Sequence, residues 1–262
     1  MAYRFGFIGA GNMAQAIFSG AVQRKLARPD SIYIYDIDAE KMQTLREKWG
    51  IHTCSSLEML HEACDILFLA VKPNVAKAIL QDLPGGKAVV SIVAGWTTSA
   101  ICALCPDIRL LRIMPNTPML IGEGAIVFSQ PSTLTADEYA VVKSLFSASG
   151  RVYELPEHLI SAVTGVSGSG PAYAYLFIEA LSDAGVRYGL PKDIALSLAA
   201  QTVYGSAKMV LETDQHVAAL KDAVCSPGGT TIEAVAALEE HGLRNAIFKA
   251  VEACVKKAEQ LA

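Results

Sequence analysis

Phe5-Gly6-Phe7-Ile8-Gly9-Ala10-Gly11-Asn12-Met13-Ala14 is the stretch that decides the fold. An apolar run stops at Gly9, and a helical pattern (Met13, Ile17, Ala21) begins near Gly11. The spacing is G-x-G-x-x-A, the dinucleotide-binding fingerprint with alanine in third place. Each residue type answers a physical demand. Gly9 lets the chain turn tightly out of a strand. Gly11 lets the backbone approach a pyrophosphate, and Ala14 keeps the helix close to the strand. The N–H groups of the first helical turn, at the positive end of the helix, then face the phosphates.

Outward from this stretch, strand and helix signals alternate. Strands are expected at 4–8, 31–35, 65–71, 88–93 and 109–113, with helices starting near Asn12, Asp38, Ser56, Pro73 and Thr97. Further strands at 124–128 and 150–153 flank a helix over 135–147. The alternation predicts βαβ units and a parallel sheet. The runs 66–71 and 89–93 are apolar without alternation, as strands covered by helices on both faces should be. After Pro156 the strand signal vanishes, and helices are expected over 158–166, 171–188, 191–212, 216–224, 231–241 and 243–261. The fold class is therefore α/β: a parallel-sheet domain over 1–155, then an all-helical domain over 156–262. The stretches 172–184 and 194–210 are apolar on more than one face, and about a hundred residues offer too few partners to cover them. Helices intertwined between two subunits answer that need better than an isolated bundle.

The 262 residues are 52% apolar and 18% charged, with a net charge of −4. That supports a sizeable core. It argues against nucleic acid or an acidic membrane surface as a partner. Gly9 and Gly11 interrupt the first apolar run, so it does not read as a leader, and no stretch reads as a bilayer span. The expectation is a soluble, cytoplasmic protein. Six cysteines (54, 64, 102, 105, 225, 254) read as free thiols, and Cys102-Ala103-Leu104-Cys105 lacks a second ligand pair. The five histidines are dispersed, so no metal site is expected.

In an open parallel sheet, ligands sit beyond the carboxyl ends of the strands. Five segments fall there: 9–13, Tyr35-Asp36, Val71-Lys72-Pro73-Asn74, Ala94-Gly95-Trp96-Thr97 and Met114-Pro115-Asn116-Thr117-Pro118. A carboxylate at Asp36 suits the two ribose hydroxyls of NAD and repels the 2′-phosphate of NADP; alternatively, Asp36 caps the helix that starts near Asp38. The helical half holds two glycine-rich turns, Ser167-Gly168-Ser169-Gly170-Pro171-Ala172-Tyr173 and Ser226-Pro227-Gly228-Gly229-Thr230-Thr231-Ile232. The second sets backbone N–H groups and three hydroxyls at a positive helix end, a carboxylate site without arginine. No Ser-His-Asp order, paired-carboxylate motif or Walker loop is present. Hydride transfer requires none of these: it needs a cofactor, a positioned electrophile and one donor at the heteroatom.

Taken in order, 8–13, 70–73, 112–118, 165–173, and 220–222 with 226–231 resemble the pyrroline-5-carboxylate reductase family over essentially the whole chain. The resemblance implies a Rossmann domain followed by a helical dimerisation domain. It implies reduction of L-1-pyrroline-5-carboxylate to L-proline with NADPH or NADH, the last step of proline synthesis. It also implies a homodimer with interlocked C-terminal helices, which some members build into rings of dimers. By motif, Gly228, Gly229, Thr230 and Thr231 hold the substrate carboxylate with Ser226 beside them, and the Thr231 hydroxyl serves the ring nitrogen. Ser167 and Gly168 line the nicotinamide side. Ile8, Gly9, Ala10, Gly11, Asn12, Met13, Ser56, Val71, Lys72, Ala94 and Asn116 line the cofactor. Many members carry a pair suited to a 2′-phosphate where this chain has Asp36-Ile37, so Asp36 leans toward NADH while the family leans toward NADPH. Two rivals are a β-hydroxyacid-dehydrogenase-type reductase with Lys192 or Lys208 as catalytic lysine, and a non-enzymatic nucleotide sensor on a reductase scaffold.

Overall fold

The computed structural model describes residues 3–260. The first part runs β1 (Phe5–Ile8), α1 (Asn12–Gln23), β2 (Ile32–Tyr35), α2 (Ala39–Trp49), β3 (His52–Thr53), α3 (Leu57–Ala63), β4 (Ile66–Leu69), α4 (Pro73–Asp82), β5 (Ala88–Ser91), α5 (Thr98–Leu104), β6 (Arg109–Met114), β7 (Gly124–Gln130), α6 (Ala136–Ser147) and β8 (Gly150–Pro156). A short helical run follows: a 3-10 turn at Glu157–Leu159, α7 (Ile160–Val163) and a π-helical turn at Thr164–Gly168. The rest is α8 (Gly170–Arg187), α9 (Lys192–Glu212), α10 (Val217–Val224), α11 (Thr230–Glu240) and α12 (Leu243–Gln260). The end expected for the last helix, Leu261, lies outside the described residues.

The eight strands lie in the order β3-β2-β1-β4-β5-β6-β7-β8. Every neighbouring pair is parallel except β6 and β7. A 3-10 turn, Thr117–Ile121, joins those two, and with no crossover helix the chain returns antiparallel. The edge strand β3 was not expected from sequence, since two residues are too few to show a period. Alternate residues of the central strands feed two cores. Phe7, Phe68, Val90 and Leu111 pack on one face of the sheet. Ile8, Leu67, Leu69, Val89 and Leu110 pack on the other. That division is why these strands read as unbroken apolar runs. On the first face the Phe7 and Phe68 rings stack 4.6 Å apart.

Two compact units emerge: the chain up to Ser169 together with the stretch from Ala253 onward, and Gly170–Glu252. In the second, the buried residues are Ser182, Ala195 and Ala199 alone among those described. Two sequence expectations are corrected here. The stretch around Ser167 and Gly168 is no turn but a wide helical one, closed by the Ser169 N–H donating to the Thr164 carbonyl at 2.8 Å. Its glycines suggested a break, whereas here they accommodate the widened coil. Helix α9 is also long and apolar enough, by length and composition, to cross a membrane. Its apolar residues are interspersed with Ser, Thr and Gln, so the sequence shows no unbroken apolar run there.

Candidate active site

Gly9 takes φ +94°, and a Cβ there would fall 2.8 Å from the Ala70 carbonyl oxygen, so glycine is required. Its N–H donates to the Tyr35 carbonyl at 2.8 Å. Ile8 and Ala10 are fully buried. Gly11 is extended at the N-cap of α1, and nothing lies within 4 Å of where its Cβ would stand. Asn12 and Met13 open the helix, whose first-turn N–H groups have no partner within it. Open space over Gly11 and unspent donors at a positive helix end fit a pyrophosphate.

Asp36 belongs to this loop as much as to β2. Its Oδ2 accepts the Ala10 N–H at 2.7 Å and its Oδ1 the Asp38 N–H at 3.0 Å, with Lys41 Nζ at 3.4 Å. Burial pushes the carboxyl up, but these two N–H groups and the Lys41 ammonium together outweigh it and hold the group below its ordinary value. The capping alternative is excluded, because Asp38 itself caps α2 by accepting the Lys41 N–H at 2.9 Å.

The other loops of this edge are tied pairwise. Lys72, exposed beside half-buried Val71, stands at the N-cap of α4 with Pro73 behind it. The Trp96 indole N–H, two residues after Ala94, donates to the Pro73 carbonyl at 3.2 Å. Thr97 caps α5, and the next residue, Thr98, gives both its N–H (2.7 Å) and its hydroxyl (2.8 Å) to Glu157 Oε1. Arg112 Nη1 reaches the same oxygen at 3.1 Å. Asn116 is buried and fully placed: its Nδ2 donates to the Ser167 carbonyl at 3.0 Å, and its Oδ1 accepts the Ala125 N–H at 2.9 Å. The Ser167 hydroxyl donates to the Val163 carbonyl at 3.1 Å, and Gly168 lies against Met114 and Thr164. Ser56 spends its hydroxyl on the Met59 N–H as the cap of α3. The sheet unit thus gathers the expected cofactor residues and the Asn116–Ser167 tie. Trp96 and Arg112 fall in segments the sequence singled out, but Glu157 was missed, since its partners 45 and 59 residues away leave no local signal.

The second unit carries the other loop. Gly228 takes φ +67°, and a Cβ on Gly229 would collide with the Ser226 hydroxyl. The Gly229 N–H donates to the Ser226 carbonyl at 3.0 Å. Gly229 is the N-cap of α11, with Thr230 and Thr231 in its first turn and no side chain serving as cap. The first-turn N–H groups are therefore left for an anion, beside three hydroxyls. Lys192 and Lys208 form exposed ion pairs with Asp183 and Glu212, poor settings for a catalytic lysine. Burial pushes the Cys102 and Cys105 thiols up, away from the reactive thiolate.

Residues 157–261 match the family model for pyrroline-5-carboxylate reductase dimerisation, and residues 4–95 match one for NADP oxidoreductase, coenzyme F420-dependent. The chain is 42% identical over 266 residues to the pyrroline-5-carboxylate reductase of Escherichia coli (strain K12), covering 100% of this chain and 99% of that protein. It is 42% identical over 264 residues to the Synechocystis enzyme of the same name, with the same coverage. Its structure is similar to that of Plasmodium falciparum pyrroline carboxylate reductase with NADP bound, at TM-score 0.91 and 32% identity over 99% of this chain and 98% of that one. Full-length identity of this order, a Rossmann-type sheet with its glycine loop, and a matching dimerisation region together place the chain in the pyrroline-5-carboxylate reductase family.

Proposed function

We propose that this protein reduces L-1-pyrroline-5-carboxylate to L-proline with NADPH or NADH, the last step of proline biosynthesis. The observation that carries the reading is the 226–231 loop, which turns through Gly228 at φ +67° and leaves the end of its helix without a side-chain cap. The N–H groups of Gly228, Thr230 and Thr231 take the substrate carboxylate, with Ser226 beside them and Gly229, whose own N–H goes to the Ser226 carbonyl, as the helix N-cap that lets the carboxylate approach. The Thr231 hydroxyl hydrogen-bonds the ring nitrogen. An imine is more electrophilic when protonated, and that hydroxyl steadies the developing N–H or relays a proton from water. Ser167 and Gly168 line the nicotinamide side. Ile8, Gly9, Ala10, Gly11, Asn12, Met13, Asp36, Ser56, Val71, Lys72, Ala94 and Asn116 hold the dinucleotide. When bound, the reduced nicotinamide supplies the hydride for the imine carbon. The cofactor domain runs over 1–155 and the substrate and dimerisation domain over 156–262. The working form is a cytoplasmic homodimer with interlocked C-terminal helices, open to assembly into rings of dimers.

The test follows NADH and NADPH oxidation, in separate assays, with pyrroline-5-carboxylate. Rapid turnover is expected, and Thr231→Ala should lower kcat by about 10²–10³, the usual cost of one such donor. A wild-type protein that binds dinucleotide but oxidises neither cofactor would overturn the reading. Wild-type turnover by Thr231→Ala would remove Thr231 from its role.

A further inference from the structure

We propose that Glu157 is a positioning residue for this reductase: its carboxylate clamps the 94–98 segment, β6 and the start of the segment carrying Ser167 and Gly168 into one arrangement. The proposal rests on the reading above and deepens it, because Glu157 lies in none of the motifs that carry the family resemblance. A single oxygen, Oε1, accepts the Thr98 N–H, the Thr98 hydroxyl and Arg112 Nη1 at 2.7, 2.8 and 3.1 Å. Those partners come from the consecutive elements α5 and β6, 59 and 45 residues from Glu157. Arg112 is buried, and its Nε has no partner among the described residues, so Glu157 is its counter-charge. Without the carboxylate, a cation would stand uncompensated inside the protein.

Further bonds lead from both partners into the site. Upstream of Thr98, Trp96 ties the 94–97 loop to Pro73, next to Lys72. Downstream of Arg112, Asn116 holds the Ser167 carbonyl. Glu157 itself opens the 3-10 turn that leads through α7 to Ser167. Displacing its carboxylate therefore shifts both walls of the nicotinamide side without substituting any residue assigned to the cofactor. Hydride transfer depends steeply on such alignment.

The experiment uses Glu157→Gln in the full chain. The glutamine oxygen still accepts from Thr98, but the charge facing Arg112 is gone. The expected result is kcat lowered about 10- to 100-fold, a raised Kd for NADH and NADPH, and a KM for pyrroline-5-carboxylate within twofold of wild type. In a Trp49→Phe background Trp96 is the one remaining tryptophan, and its emission should shift on Glu157→Gln. A purely structural role would lower Tm and leave kcat, dinucleotide Kd and Trp96 emission at wild-type values; that result overturns the proposal. Thr98→Val removes only the hydroxyl donor and keeps the ion pair, so it answers if Glu157→Gln fails to fold. It should move the same three readouts in the same direction by less, and wild-type values for all three would likewise overturn the proposal. Dinucleotide Kd and Trp96 emission need no substrate, so they test Glu157 even if the enzyme proves to reduce a different imine.

Discussion

One oxygen of Asp36 accepts the Ala10 N–H and the other the Asp38 N–H, so the side chain fixes the glycine loop as well as the end of β2. Oδ1 also takes the Lys41 ammonium, whereas Oδ2 keeps a lone pair for a ribose hydroxyl. Because the hydrogen bonds hold the carboxyl below its ordinary value, it is ionised at every pH at which the enzyme would work. Two roles, anchor and charge, can be separated by substitution. Asp36→Asn keeps the shape and an acceptor for Ala10 but discards the charge. Two unit charges roughly 8 Å apart at an effective dielectric near 20 interact by about 2 kcal/mol, or roughly thirtyfold. The NADPH to NADH ratio of kcat/KM should rise by about that factor in Asp36→Asn. In Asp36→Ala the Ala10 N–H loses its acceptor, and kcat/KM should fall for both cofactors. Steady-state kinetics with each cofactor checks this; a wild-type enzyme that already strongly prefers NADPH would refute the charge argument.

At the level of elements, α6 shows how a local signal and a distant one meet. Thr135 Oγ1 accepts the Glu138 N–H at 3.3 Å, and Glu138 Oε2 accepts the Thr135 N–H at 2.9 Å, a capping box. Arg109, from β6, closes on the same carboxylate at 2.6 Å. Arg109 holds the Glu138 carboxyl below its ordinary value, against burial that pushes it up. A carboxyl depressed in the folded state contributes stability above its unfolded pKa and loses it as pH falls through its folded pKa. Glu138→Gln should therefore cost about 2 kcal/mol at neutral pH, discounted for the partly exposed Arg109. Denaturant unfolding at a series of pH values should show the gap to wild type closing below the ordinary carboxylate range. A gap constant across that range would show that the charge contributes nothing. The same contrast governs what the sequence disclosed. Helix starts were legible where a cap or N1 proline sits within the helix it serves, as at Ser56, Pro73, Thr97 and Thr135. Gly9 and Gly11 were legible because a tight turn and a close approach are demands on one residue. The π-helical turn was not, since its composition reads as a loop and Asn116, which braces it, is 51 residues away. The Asp36 bond to Ala10 and the Glu157 clamp were hidden for the same reason.

Across the whole molecule, the second compact unit stands out for how little of its apolar surface a single copy buries. Gly170–Glu252 buries Ser182, Ala195 and Ala199, while Leu176 is 67% exposed, Leu198 53% and Phe248 75%. Fully burying a large apolar side chain contributes about 1.5–3 kcal/mol, and fixing each residue's backbone costs about 1–2 kcal/mol. With so little buried, the unit lacks the apolar gain that would offset ordering its helices. The match of 157–261 to a reductase dimerisation model points to protein rather than lipid as the cover for α9. The dimer should then be the smallest folded species, and Tm should rise with protein concentration. Leu198→Arg, which sets a charge on the uncovered face of α9, should yield monomers with reduced helicity. It should also abolish turnover, because the 226–231 loop lies in the unit that loses its support. Sedimentation equilibrium, circular dichroism and the reductase assay on the two proteins give the answer. A wild-type monomer whose Tm does not change with concentration would mean that these helices find their partners within one chain.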